Sequence, residues 1–332
     1  MTRRNRFGLL AAFAFAFAAA THPAAAADKA PLRIGFSDWP GWTPWQIAID
    51  KGWFKEAGVA VEMQWFDYSA SLDAFSAGKL DADCVANGDA LGTGANGAKN
   101  VMILLTDYSS GNDQIVGSPG VKSIKDLAGK KVGVEVGLVD HLLLEHALTA
   151  AGMKLTDVTL VNAKTNETPQ VLASGSVAAI AAWQPVAGQA VKLAPGSRPI
   201  FTSAQAPGLI YDALMVSPQS LNDRRDDWMK VIGVWYRVTA YMNNPKTADD
   251  ALKIISARDG VDPATYKPFV KGTHILSLAE AKHALRKGAG LDSIYGSDAN
   301  ADDFNVRNGV YKTAQDGAAY VDPSLTEAFK GK

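Results

Sequence analysis

The chain is poor in the residues that most often carry catalysis or cross-linking. It has one cysteine and five histidines in 332 residues. One cysteine excludes a disulfide framework and a multi-cysteine metal cluster. The charges nearly cancel, 33 Lys+Arg against 34 Asp+Glu, so no basic surface exists to neutralise phosphates and nucleic acid is excluded as a partner. A long hydrophobic run is also missing: the apolar run near the start, Gly8 to Ala20, is thirteen residues. At 1.5 Å per residue it is too short for a ~30 Å hydrocarbon core. What the chain does have is 47% hydrophobic residues, thirty glycines and eight tryptophans, the makeup of an ordinary globular protein of two-domain length.

The basic start Met-Thr-Arg-Arg-Asn-Arg, the short apolar run and the small residues Ala24 to Ala27 read as a secretory signal over residues 1–27. No cysteine lies near the cleavage site, so the reading includes no lipid anchor. Removing this segment takes away three arginines and leaves a mature chain of 30 basic and 34 acidic residues. The expected location is the periplasm.

Hydrophobic patterning alternates between strand and helix. Leu32–Phe36, Val59–Phe66, Ala82–Ala86, Val101–Thr106, Val158–Asn162, Val177–Ala182 and Ile210–Val216 read as strands, with helices between them, one of them N-capped by Ser69. Such alternation predicts an α/β protein built on largely parallel sheets. From Asp226 onward the pattern turns helical.

Several segments occur together in an order that resembles a known family: Ile34-Gly-Phe-Ser-Asp-Trp-Pro, Lys51-Gly-Trp-Phe-Lys-Glu-Ala-Gly-Val, Ala77-Gly-Lys-Leu-Asp-Ala-Asp-Cys, Ser123-Ile-Lys-Asp-Leu-Ala-Gly-Lys-Lys-Val-Gly-Val and Ala182-Trp-Gln-Pro. They resemble the periplasmic solute-binding proteins of ABC importers in the nitrate/sulfonate/taurine and thiamine-precursor-binding superfamily. The resemblance implies a type II periplasmic binding fold, two α/β lobes joined by a two-strand hinge. Lobe I would hold 28–117 plus 213–332, and lobe II 118–212. It implies a monomeric receptor that closes on a small-molecule ligand and delivers it to an inner-membrane ABC permease, with no cofactor and no catalytic residue. An enzymatic alternative comes from the thiamine-pyrimidine synthases of the same fold, but the cysteine cluster of that class has no counterpart here.

Ligands in open α/β folds bind where loops leave the carboxyl ends of strands. Those loops are Ser37-Asp-Trp-Pro-Gly-Trp, Asn87-Gly-Asp-Ala, Asp107-Tyr, Glu135-Val-Gly-Leu-Val-Asp, Trp183-Gln-Pro and Tyr211-Asp. They are rich in aromatics and carboxylates and contain no lysine or arginine. An anion would want those cations, or free helix N-terminal amides. A small cation, or a urea- or guanidine-like compound, suits tryptophan faces and carboxylates. The expected contacts are Asp38, Trp39, Trp42, Asp89, Glu135, Asp140, Trp183 and Asp212. Glu135 stands out as a glycine-neighboured acid with no structural task legible in the sequence. Asp38 and Asp89 read equally well as helix caps, and Asp140 as a first-turn acid on its helix dipole. A sulfonate, nitrate or neutral amide ligand remains the alternative within this fold.

Other motifs lead nowhere. Gly92-Thr-Gly-Ala-Asn-Gly97 matches a dinucleotide fingerprint in letters but falls inside a helix. His141 and His146 are five apart and do not share a helix face, so no metal site is expected. Cys84, among apolar neighbours, reads as a core residue.

Overall fold

A computed structural model describes Met1, Thr2 and residues 29–331. The signal-peptide reading therefore lies outside the described residues. Residues 31–332 form one compact unit. Among the described residues no helix is long and apolar enough to cross a membrane.

The chain first lays down β1 (Leu32–Phe36), β2 (Val61–Trp65), β3 (Ala82–Ala86) and β4 (Val101–Ser109). It then forms β5 (Asp113–Gly117), β6 (Lys131–Val134), β7 (Thr159–Asn162), β8 (Ala179–Trp183) and β9 (Arg198–Thr202), and returns for β10 (Tyr211–Val216) and β11 (Thr273–Ile275). Two sheets result, in the orders β11-β4-β10-β3-β1-β2 and β7-β6-β8-β5-β9. Strands β1 to β3 pair in parallel, as do β6, β7 and β8. Where the chain changes sheet the pairing turns antiparallel: β10 lies between β3 and β4, and β5 between β8 and β9. The mixed α/β class expected from the sequence is the one observed.

The central strands explain themselves. Ala-Asp-Cys-Val-Ala of β3, Ala-Ile-Ala-Ala-Trp of β8 and Tyr-Asp-Ala-Leu-Met-Val of β10 are buried at every position. Near-continuous apolar runs of this kind fit strands covered on both faces. Edge strand β2 has no such run and is only partly covered. Cys84 is buried, as its neighbours suggested. Trp45 and Trp235 meet at 4.6 Å between rings and fasten the helix Arg225–Asn243 onto the first sheet's layer. Trp53 sits edge-on to Tyr241 with the Arg237 guanidinium 4.2 Å over its ring. Both tryptophans are therefore core residues.

Three local expectations change. Strands β5 and β9 have no counterpart in the sequence reading, because Gly117-Ser-Pro-Gly signals only a turn and Arg198-Pro-Ile-Phe-Thr alternates weakly. Strand β5, which the expected lobe I included, pairs in the second sheet. The helix expected to be capped by Ser69 begins two residues earlier than that cap implies, at Tyr68, with Asp67 in the N-cap position. This last shift matters for the site, because it aims Tyr68 inward.

Candidate functional site

The chain crosses between the sheets twice, from Ser109 to Asp113 and from Thr202 to Tyr211. Beside these crossings an aromatic box surrounds a small cavity lined by Trp39, Trp42, Tyr68, Val139, Trp183, Ile210, Asp113 and Asp212. Its free volume is about 10 Å³, the space of roughly one water. The walls are successive ring contacts. Trp39 and Trp42 meet at 6.4 Å and 61°, Trp42 and Tyr68 at 5.5 Å and 33°, and Tyr68 and Trp183 at 5.2 Å and 88°. All four rings are buried. Trp39 and Trp42 come from the turn after β1, and Trp183 ends β8, so the box draws on both sheets.

Around the box lies an unusual density of buried acids. Asp107 on β4 and Asp212 on β10 are register partners. Asp107 receives the Trp39 Nε1–H at 3.0 Å and the Thr106 hydroxyl at 2.8 Å. Burial pushes it up to about 6 even so. Asp212 lacks those donors, and burial together with the Asp107 charge holds its carboxyl well above the usual range. Gly41 makes this possible, because a Cβ there would collide with the Asp107 carboxylate. Asp113 opens β5 and is pushed up to about 7 by burial.

Asp89 stands in the first turn of the helix Asn87–Ala95. It accepts the Tyr68 hydroxyl at 2.7 Å and the Val139 amide at 3.3 Å, the latter from the helix Val139–Ala150. Burial raises it to about 7. Tyr68 Oη also accepts the Ala86 amide at 3.0 Å, so one hydroxyl fixes the end of β3 and the Asp89 carboxyl together. Asp140 is fully buried, with Thr165 Oγ1 donating at 3.4 Å. Burial first, then the charges of Asp113, Glu135 and Asp89, drive its carboxyl well up.

Four polar atoms of this group have no hydrogen-bond partner: Trp42 Nε1, Asp113 Oδ2, Asp140 Oδ1 and Asp212 Oδ2. Buried polar atoms are normally satisfied, so each orphan marks a place where a partner is expected. Three of the four are carboxyl oxygens, which accept when ionised and call for a donor. No lysine or arginine lines the cavity.

The eight residues expected from the sequence fall into two sets. Trp39, Trp42, Trp183 and Asp212 line the cavity, and Asp89 and Asp140 stand behind it. Asp38 and Glu135 do not line it. They lie in an adjoining cleft with Trp65, Asp67 and Lys164. Asp38 accepts the Trp65 Nε1–H at 2.6 Å rather than capping a helix. Glu135 has a structural task after all: its Oε2 accepts both the amide and the hydroxyl of Thr165, each at 3.0 Å. Asp140 is in the first turn of its helix, as the sequence offered, and it is fully buried there. Two residues were not anticipated. Tyr68 was hidden by the two-residue shift of its helix. Asp113 was hidden because β5 went unread; its signal, an acid leading the apolar run Ile-Val, is faint.

Two sheets joined by paired crossings, with a closed aromatic and acidic cavity beside them, define the periplasmic-binding-protein class of fold. Residues 25–256 match the NMT1-like family, and the chain belongs to it. A Brucella abortus protein named as a binding protein is 34% identical over 175 residues, 52% of this chain and 54% of that one. An Escherichia coli protein named as an aliphatic sulfonates-binding protein is 28% identical over 184 residues, 54% of this chain and 55% of that one. The chain thus matches about half the length of these relatives. Among solved structures, the alkanesulfonate-binding protein of Xanthomonas axonopodis pv. citri bound to MOPS superposes with a TM-score of 0.72 at 17% identity, covering 90% of this chain and all of that one. That likeness is one of fold.

Proposed function

We propose that this protein is the periplasmic receptor of an ABC importer, and that it captures a small cationic nitrogen compound of guanidinium, amidinium or ammonium type. It binds rather than transforms its ligand, acts as a monomer and passes the ligand to an inner-membrane permease. The ligand contacts are Trp39, Trp42, Trp183, Asp113 and Asp212, with Asp89 and Asp140 behind them, and Asp38 and Glu135 at the entrance.

One observation carries the ligand class: two buried carboxyls with an unpartnered oxygen, Asp113 and Asp212, line a cavity walled by indoles and lacking any basic side chain, and a third, Asp140, stands behind it. A cation with several N–H groups would satisfy those oxygens and rest on the tryptophan faces, an attraction of about 0.5–2 kcal/mol per ring.

The E. coli relative's name points to sulfonates as the rival ligand class. A sulfonate needs donors, and the natural one in this fold class is a helix N-terminus. Here the Val139 amide already donates to Asp89, and Asp140 occupies the same first turn. Trp42 Nε1 is the one unpartnered donor among the orphaned atoms of the site.

A thermal-shift and calorimetry panel decides between the two. Guanidinium, acetamidinium or methylammonium at millimolar concentration should raise the melting temperature, while taurine and methanesulfonate should not. Micromolar binding of an alkanesulfonate, unaltered in Asp113→Asn, would overturn the cation reading.

A further inference from the structure

We propose that the site exchanges a proton for its ligand: when empty it holds a proton on the Asp107–Asp212 carboxyl pair, and the arriving cation releases that proton to solvent. The inference rests on the cation reading and adds its control by pH.

The geometry is that of two facing strands with an acid from each. Asp107 on β4 and Asp212 on β10 are in register and both buried, and each of the two strands runs into one of the crossings between the sheets. The pair is asymmetric. Asp107 has two donors, Trp39 and Thr106, whereas Asp212 Oδ2 has none. Asp107 is therefore the member that stays ionised, and Asp212 the member that carries the proton.

The surroundings leave that proton no substitute. Asp113 of β5 and Asp89 of the helix Asn87–Ala95 bear on Asp212 with the same sign. Asp140 and Glu135 complete the acidic set: Glu135 bears on Asp89, and Asp113, Glu135 and Asp89 bear on Asp140. Tyr68, Tyr266 and Cys84 also face the group, and burial raises all three so that they stay neutral. His274 on β11 is the basic side chain that acts on Asp107, and its ring is engaged by Glu280 Oε1 at 2.9 Å. Several carboxyls in one dry volume cannot all ionise together. A bound cation takes over the proton's electrostatic task. The balance is simple: the cation enters, the Asp212 carboxyl becomes a carboxylate, its proton passes to buffer, and the charge of the closed site is unchanged. The direction of titration agrees, with Asp107 at about 6, Asp113 at about 7 and Asp212 well above its ordinary value.

Calorimetry with guanidinium, acetamidinium and methylammonium, in phosphate and in imidazole at pH 6.5, reads the proton directly. The buffer-dependent enthalpy should correspond to about one proton released per cation bound, and affinity should rise up to about tenfold between pH 6 and pH 7. Asp212→Asn should bind more weakly and release almost no proton; Asp107→Asn breaks the same pair and should likewise cut the proton released, which serves the comparison if the first variant does not fold. Binding with a buffer-independent enthalpy and a pH-invariant affinity would overturn the exchange and leave the cation reading standing. Failure of all three cations to bind would overturn both.

Discussion

Replacing Asp113 with asparagine should flatten the dependence of the empty protein's stability on pH. Asp113 is 2% exposed, and one of its carboxyl oxygens has no partner. Its folded value stands at about 7 against an ordinary 3.8. Between those two values the folded chain holds a proton that the unfolded chain has lost, so stability falls as pH rises towards 7 and then levels. Each unit is worth about 1.36 kcal/mol, so the span from pH 5 to pH 7 costs the wild-type chain about 2–3 kcal/mol through this residue alone. Asparagine keeps the shape and cannot ionise. Whatever constant penalty its amide brings, the slope attributable to residue 113 should vanish. The assay is urea denaturation of ligand-free protein at half-unit steps from pH 5 to pH 8.5, comparing wild type with Asp113→Asn. Parallel stability curves would refute the reasoning, because they would mean that Asp113 is either ionised throughout or solvated.

Three further substitutions separate the site's parts. Gly41→Ala places a methyl against the Asp107 carboxylate and should cost about 1–3 kcal/mol of stability by overpacking, read from the urea midpoint, with loss of the Trp39–Asp107 bond. Tyr68→Phe strands the Ala86 amide and removes a donor from Asp89; a loss of about 1–3 kcal/mol in the same assay is expected. Glu135→Gln tests the division between entrance and cavity. Cation affinity should change less than threefold by calorimetry, and stability should drop by about 1 kcal/mol through the weakened bonds to Thr165. An affinity loss of a hundredfold would place Glu135 in the binding cavity itself.

Much of this protein could be read in one dimension because the signals involved are local. Strand and helix alternation depends on period and composition within a few residues, and the long buried strands β3 and β10 announce themselves by apolar content. The turn after β1 carries Trp39 and Trp42 next to a strand end, which is where sites form in this kind of sheet. Strands β5 and β9 were not legible, because antiparallel strands beside a chain crossing owe their existence to partners distant in sequence. Strand β5 pairs with β8, about seventy residues away, and with β9, about eighty-five away.

The sequence by itself determined the class of fold, the family, and the acidic and aromatic character of the loops, all of which are properties of residues and their immediate neighbours. Only the tertiary structure decided which acids do what. Asp107 and Asp212 become a pair because β4 and β10 meet in register across more than a hundred residues. Glu135 is drawn off to Thr165, whose hydroxyl also reaches the buried Asp140. A carboxyl's chemistry is set by its burial and its donors, and both are three-dimensional facts: the same side chain is a cap, a strut or a charge held in reserve according to what folds against it.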